Sequence, residues 1–274
     1  MTRMHKTFRT LAETNEGALI GYLMAGDPSM DESARYAEAL LAGGVDVLEL
    51  GVPFSDPIAD GPTIQAADVR ALQANATPET IFELVKELRG TDHGASVPIV
   101  LMTYYTPIFA MGEEAFARNA HQAGVDGVIV PDLPVEESGS WLQAARKAQL
   151  DTVFLTTPET DERRLAQLAE ETRGFLYLVG RYGVTGARAQ LDSHVAGLID
   201  ETRRHVPADL PIAVGFGLSQ PEHVRDVISA GAQGAIVGSA IVSRIAAGDS
   251  PEGLRSFIRD LKAATRSSHE ATAR

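Results

Sequence analysis

Short apolar runs alternate with longer amphipathic ones along almost the whole chain. Eight of the short runs, at 18–24, 45–50, 97–102, 127–130, 152–155, 175–179, 212–214 and 235–237, read as strands. Their apolar character is nearly continuous, as in parallel strands covered on both faces. Helical periodicity fills the gaps at 31–42, 78–89, 113–123, 137–148, 162–171, 193–205, 221–230 and 252–264. Eight strands alternating with eight helices predict an α/β fold, a (β/α)8 TIM barrel with small extra helices. A doubly wound open sheet is the alternative. The count of eight, the length and the even composition favour the barrel, read as one domain over 1–265 with a small, polar, flexible tail at 266–274.

Three helix ends echo one another: Ala42-Gly-Gly-Val-Asp-Val, Ala123-Gly-Val-Asp-Gly-Val and Ala230-Gly-Ala-Gln-Gly-Ala. Each puts Gly after a helix, where a left-handed residue closes the last turn. These echoes specify architecture, not activity.

The 274 residues are 44% hydrophobic, enough for one sizeable core, and carry a formal net charge of −13. An acidic chain repels phosphate backbones, so nucleic acid is not an expected partner. There are no cysteines, which excludes disulfides, thiolate metal sites and a cysteine nucleophile. The polar start lacks the apolar run of a signal peptide. No stretch reaches the roughly 20 apolar residues of a membrane span. A cytoplasmic protein is expected.

Barrel active sites lie at the C-terminal ends of the strands. Glu49 stands there in the second run, on the face opposite Leu48 and Leu50. If those leucines face the helices, Glu49 points into the barrel. There a carboxylate is costly unless paired, protonated or wet, and a raised pKa suits a group that gives and takes protons near neutrality. The alternative is a strand-end acid reaching solvent. The next loop holds Asp56-Pro57 and Asp60-Gly61-Pro62, with a helix start near Thr63. On spacing alone Asp60 reads equally as a turn or N-cap residue, and Asp56 as a loop residue.

Three later loops are rich in small residues: Gly180-Arg-Tyr-Gly-Val-Thr-Gly-Ala, Gly215-Phe-Gly-Leu-Ser, and Gly238-Ser239 at a helix start. Glycines let backbone N–H groups approach phosphate oxygens, and a helix N-terminus adds unpaired donors. Tight strand-to-helix turns are the alternative. Arg181 reads as a phosphate clamp or as a surface residue.

The segment Glu49-Leu-Gly-Val-Pro-Phe-Ser-Asp-Pro-Ile-Ala-Asp-Gly-Pro resembles the signature of the tryptophan synthase α subunit family almost letter for letter. Gly26-Asp-Pro28, Met102-Thr-Tyr-Tyr-Thr-Pro107, Pro131-Asp-Leu-Pro134, Gly183-Val-Thr-Gly186, Gly215-Phe-Gly217 and Gly238-Ser239 follow in the family's order. The resemblance implies a lyase that cleaves indole-3-glycerol phosphate to indole and glyceraldehyde 3-phosphate. It implies Glu49 as acid/base, Asp60 as partner of the indole N–H, and Tyr177 as the active-site tyrosine. Tyr22, Ile64, Met102 and Tyr104 match the indole pocket. Gly186, Gly215, Phe216, Gly217, Gly238 and Ser239 match the phosphate site. It also implies a β subunit as partner in an α2β2 tetramer, contacted by Pro53, Asp56 and residues near Thr185, the last also closing the site. No cofactor or metal is implied in this chain, since pyridoxal phosphate belongs to the β subunit. Tyr22, Met102, Thr106 and Gly180 depart from the family's usual Phe, Leu, Asn and Ser. Three readings compete: another phosphate-binding barrel, a subunit that mainly binds and activates a partner, and a free-standing lyase. The pair Glu49 and Asp60, with no Lys or His at a strand end, argues against the first. A buried acid argues against the second. Loop closure, which the sequence does not resolve, would mark the third.

Overall fold

The computed structural model describes residues 1–180, 193–215 and 217–266. Nine parallel strand segments form one sheet: β1 (Ala18–Met24), β2 (Val47–Gly51), β3 (Ile99–Met102), β4 (Gly127–Ile129), β5 (Asp151–Val153), β6 (Leu155–Thr156), β7 (Leu176–Val179), β8 (Ile212–Gly215) and β9 (Gly234–Val237). Their order is β5-β4-β3-β2-β1-β9-β8-β7-β6. The two ends of that order, β5 and β6, are separated in sequence only by Phe154. The ladder therefore runs round a ring whose fifth strand is interrupted at one residue, and the fold is a TIM barrel.

Eight helices follow the predicted periodicity: α2 (Met30–Gly43), α4 (Pro78–Arg89), α6 (Glu113–Ala123), α7 (Gly139–Lys147), α8 (Glu162–Glu171), α9 (Ser193–His205), α10 (Pro221–Ser229) and α12 (Pro251–Ala263). Two more, α3 (Pro62–Gln73) and α11 (Ser239–Ala246), begin where the Gly-Pro and Gly-Ser steps place a helix start. Two others, α1 (Arg3–Glu13) and α5 (Tyr105–Met111), were not foreseen. Helix α1 buries Met4 and Phe8 among Ala18, Ile20, Val47, Val100, Ile129, Val153, Phe175, Ala213 and Ile236 inside the barrel. It thus plugs the ring from the N-terminal end of the strands. Alternate residues, including Leu48, Leu50, Ile99, Leu101, Val214 and Val237, pack outward under the helices. No helix among the described residues is long and apolar enough to cross a membrane.

The internal echo has a structural cause. Gly44, Gly124 and Gly231 all adopt φ near +100° at helix ends. Two residues on, Asp46, Asp126 and Gln233 each bracket one residue of the neighbouring strand. The backbone N–H of each donates to the carbonyl of Leu19, Ile99 or Ile212. The side chain of each accepts that same residue's N–H, at 2.7, 2.9 and 3.0 Å. A helix cation completes each bracket: Lys262 on Asp46 at 2.8 Å, Arg89 on Asp126 and Arg203 on Gln233. These contacts set the register at the closed end and leave the other end to chemistry. Near the chain's limits, Gly17 N–H donates to Thr265 carbonyl at 2.9 Å, and Glu16 bridges Arg266.

Candidate active site

At the C-terminal ends of the strands the inward positions fall into two kinds. Tyr22, Glu49, Met102 and Tyr177 carry large side chains, whereas Gly51, Gly215 and Gly238 carry none. The glycines make room for the tyrosine rings, Gly51 and Gly238 for Tyr22 and Gly215 for Tyr177. Between these residues lies a cavity of about 170 Å3, lined by Tyr22, Glu49, Asp60, Ile64, Met102 and Tyr177 and by Gly215, Gly217, Ile236, Gly238 and Ser239. Most residues singled out in the sequence thus meet in one hollow. Ile236 was missed, although its alternation with Val237 on the last strand marks it as inward.

Glu49 sits opposite Tyr22 in the β1–β2 register and is 1% exposed. The flanking leucines pack outward, so strand alternation places the acid as the sequence predicts. Its Oε2 is buried with no hydrogen-bond partner. Burial, and then the charge of Asp60, push its pKa up to about 8. The group is protonated at neutral pH and close to the point of releasing that proton, which suits general acid–base work. Tyr22 and Tyr177 are raised well above the ordinary phenol range, first by burial and then by the acids around them, so both remain neutral hydroxyls.

Asp60 is half-buried in the loop between β2 and α3. The Tyr104 hydroxyl donates to its Oδ2 at 2.8 Å and accepts the Ala59 N–H at 2.9 Å. Burial raises the Asp60 pKa, and the tyrosine hydrogen bond opposes the rise. Tyr104, expected in the indole pocket, does not line the cavity. It stands behind Asp60, with its ring stacked on Phe54 at 5.2 Å between centroids. The two carboxyl groups therefore differ: one is buried with an oxygen that has no hydrogen-bond partner, the other is hydrogen-bonded and half-buried.

A third acid, Asp68 on α3, was not foreseen. It is 2% exposed and accepts the Phe54 N–H at 3.0 Å. Its sequence signal is an acid within the spacing Ile64, Ala67, Ala71 that marks the buried stripe of α3.

On the opposite loops, Gly238 is the N-cap of α11 and supplies no side-chain cap. The first N–H groups of a helix have no intrahelical acceptor, and here no N-cap side chain takes one. They open beside Gly215, Gly217 and the Ser239 hydroxyl in the same cavity. Gly217 has φ +69°, a conformation that side chains other than glycine's rarely adopt. Free N–H groups, glycines and a positive helix end are the features that favour an anion.

Arg181, Thr185, Gly186 and Phe216 lie outside the described residues. Of the expected partner contacts, Pro53 is buried within the chain itself, while Asp56 is exposed. Beside Asp56, Ile58 is 84% exposed, and Phe109 on α5 is 71% exposed. Among the described residues one carboxylate–imidazole group has metal-ligand spacing: Glu162, Glu201 and His205. It belongs to α8 and α9 and takes in none of the cavity's residues.

The family model described as tryptophan synthase alpha chain matches residues 8–273. The chain is 49% identical over 242 residues to the tryptophan synthase alpha chain of Methanoregula boonei, covering 88% of each. It is 46% identical over 261 residues to that of Methanosarcina acetivorans, covering 95% of this chain and 93% of the relative. Among solved structures, the alpha subunit from Legionella pneumophila superposes with a TM-score of 0.87 at 31% identity, covering 97% of this chain and 98% of that one. A chain of Mycobacterium tuberculosis tryptophan synthase gives 0.87 at 34% identity with the same coverage.

Proposed function

The chain belongs to the tryptophan synthase alpha chain family, and on that footing we propose that Glu49 and Asp60 divide between them the proton and charge movements of its reaction. That reaction is the retro-aldol cleavage of indole-3-glycerol phosphate to indole and glyceraldehyde 3-phosphate, a lyase step in tryptophan biosynthesis. The chain partners a tryptophan synthase β subunit, which carries pyridoxal phosphate; the alpha chain family itself uses no cofactor. A cytoplasmic location and an α2β2 assembly accompany this reading.

The observation that carries the assignment is the buried Glu49 carboxyl, whose Oε2 has no hydrogen-bond partner and whose pKa is raised to about 8. Protonated at neutral pH, it gives its proton to the ring carbon that bears the side chain. The ring becomes an indoleninium, and its N–H turns more acidic and more positive. Asp60, held by Tyr104, accepts that N–H and balances the charge. Glu49, now a carboxylate, takes the proton of the adjacent side-chain hydroxyl. The oxygen lone pair forms the aldehyde C=O, the carbon–carbon bond breaks, and its electrons return to the ring as indole. Glu49 ends protonated, as it began. The phosphate binds at Gly215, Gly217, Gly238 and Ser239, and its remote binding energy orients the reacting end. Tyr22, Ile64, Met102 and Tyr177 surround the ring. The exposed Asp56, Ile58 and Phe109 give the β subunit a contact face beside the mouth.

The test is Glu49→Gln in the purified chain, assayed for indole release with and without a β subunit. Loss of positioned proton transfer lowers turnover by about 10²–10⁴-fold, while affinity for glycerol phosphate is retained. Turnover at the wild-type rate would remove Glu49 from the reaction. Stimulation of the wild-type chain by the β subunit separates the partnered lyase from a free-standing one.

A further inference from the structure

We infer that Asp68 is a positioning residue for this reaction, pinning the loop over residues 52–61 through the Phe54 N–H so that Tyr104 can present Asp60 to the substrate. The inference rests on the role assigned to Asp60 above and goes beyond it, because Asp68 is not one of the residues lining the cavity.

The geometry forms a closed chain of contacts. Asp68 Oδ1 accepts the Phe54 N–H at 3.0 Å. The Phe54 ring stacks on Tyr104 at 5.2 Å. The Tyr104 hydroxyl donates to Asp60 at 2.8 Å and takes the Ala59 N–H at 2.9 Å. The loop is therefore fastened near its start by Asp68 and near its end by Tyr104, and the phenylalanine ring ties the two fastenings together. Asp60 is the residue directly after the second one.

Asp68 does not occupy its place as an ion pair. Arg70, two residues on, is engaged by Asp27 in a two-point contact at 2.6 and 2.8 Å. The second oxygen of Asp68 is buried with no partner, on a helix face shared with Ala67 and Ala71. An unpaired acid there is a cost to the fold, so its contribution is placement rather than stability. Burial and the charge of Asp60 raise its pKa to about 7. The Phe54 hydrogen bond opposes that rise and so favours the carboxylate, but either protonation state keeps an oxygen able to accept the Phe54 N–H.

The test compares Asp68→Asn, which keeps the acceptor, with Asp68→Ala, which removes it, in the full chain. Both are measured for kcat and KM on indole-3-glycerol phosphate and for the Kd of glycerol phosphate. Asp68→Asn is expected to stay within about threefold of wild type in kcat, since the acceptor is preserved. Asp68→Ala is expected to lower kcat by about 10–100-fold, the scale of a misplaced catalytic group, with glycerol phosphate affinity unchanged. Asn is nearly isosteric with Asp, so its rescue is read together with Asp68→Val, similar in volume but without an acceptor: loss of packing alone spares Val, and loss of the acceptor does not. The inference is overturned if Asp68→Ala keeps the wild-type kcat, if Asn is as impaired as Ala, or if glycerol phosphate binding falls in step with kcat. Should the alanine variant not fold, Asp68→Val, close in volume and without an acceptor, takes its place in the same comparison. Asp60→Asn run alongside separates the two assignments. If it is impaired while Asp68→Ala is not, only the positioning role falls. If Asp60→Asn itself turns over at the wild-type rate, the role of Asp60 falls and the positioning role with it.

Discussion

The ring of Tyr177 fills the space that a side chain on Gly215 would need. A Cβ placed on Gly215 would come within 2.7 Å of that ring, and the two residues sit on the adjacent strands β7 and β8. Glycine at 215 is thus a condition for tyrosine at 177, and both border the cavity. Gly215→Ala forces the ring off its place, an overpacking change of about 1–3 kcal/mol. A lower Tm and a kcat/KM reduced by about tenfold or more are expected from thermal melts and steady-state cleavage assays. An unchanged kcat/KM would mean that Tyr177 has no fixed position in the reaction.

Tyr104 serves Asp60 and the loop at once. Tyr104→Phe keeps the stack on Phe54 but leaves the Ala59 N–H without its acceptor and Asp60 without its donor. Ala59 is exposed and Asp60 half-buried, so water takes up part of the loss and the net cost is about 0.5–1.5 kcal/mol. The Asp60 pKa rises, because the lost hydrogen bond was lowering it. The acid limb of the kcat/KM profile moves to higher pH, and kcat at neutral pH falls by about tenfold. A superimposable profile would remove Tyr104 from the site's electrostatics.

Glu49 also sets a pH dependence of stability. Its pKa is about 8 in the fold against 4.5 for the ordinary carboxyl. Between those values the unfolded chain has released the proton and the folded chain still holds it, so stability falls as pH rises through the window. Below it the contribution is absent, and above it the penalty is complete. Glu49→Gln removes the penalty, on the order of a few kcal/mol at pH 8. The variant should melt at a higher temperature than wild type at pH 8 and at nearly the same temperature at pH 4. A gap that does not change with pH would contradict a buried, protonated Glu49.

The Ser239 hydroxyl stands at the N-terminus of α11, beside unpaired N–H groups. With phosphate bound as proposed above, Ser239→Ala deletes one donor to it, a hydrogen bond of about 1.5–3 kcal/mol. Calorimetry with glycerol phosphate should show a Kd raised by roughly tenfold or more. An unaltered Kd would locate the phosphate elsewhere.

The barrel was legible because its signal is repeated. The apolar runs and the helix-Gly-Asp echoes each state the same local rule several times, and the structure realises it at Asp46, Asp126 and Gln233. Glu49 was legible for a different reason: strand alternation has a period of two, and its leucine neighbours fix which face is inward. Asp60 and Tyr104 were named through family resemblance, and spacing gave no account of how one supports the other. That support is a contact between residues 44 positions apart, which no local pattern encodes. Asp68 stayed hidden because the helix carrying it was read only at its start. Helix α1 was missed because a plug for the ring's end belongs to no strand–helix repeat.

Strand β1 lies between β2, which follows it directly in the chain, and β9, more than two hundred residues later. During vectorial synthesis at about 5–20 residues per second, β1 waits on the order of 10–40 s for that neighbour to be made. Lys262, which grips Asp46 at 2.8 Å, comes later still. For that interval the growing chain carries an open edge of apolar strand, the kind of surface that recruits wrong partners. The first strand of this protein is among the first made and the last enclosed.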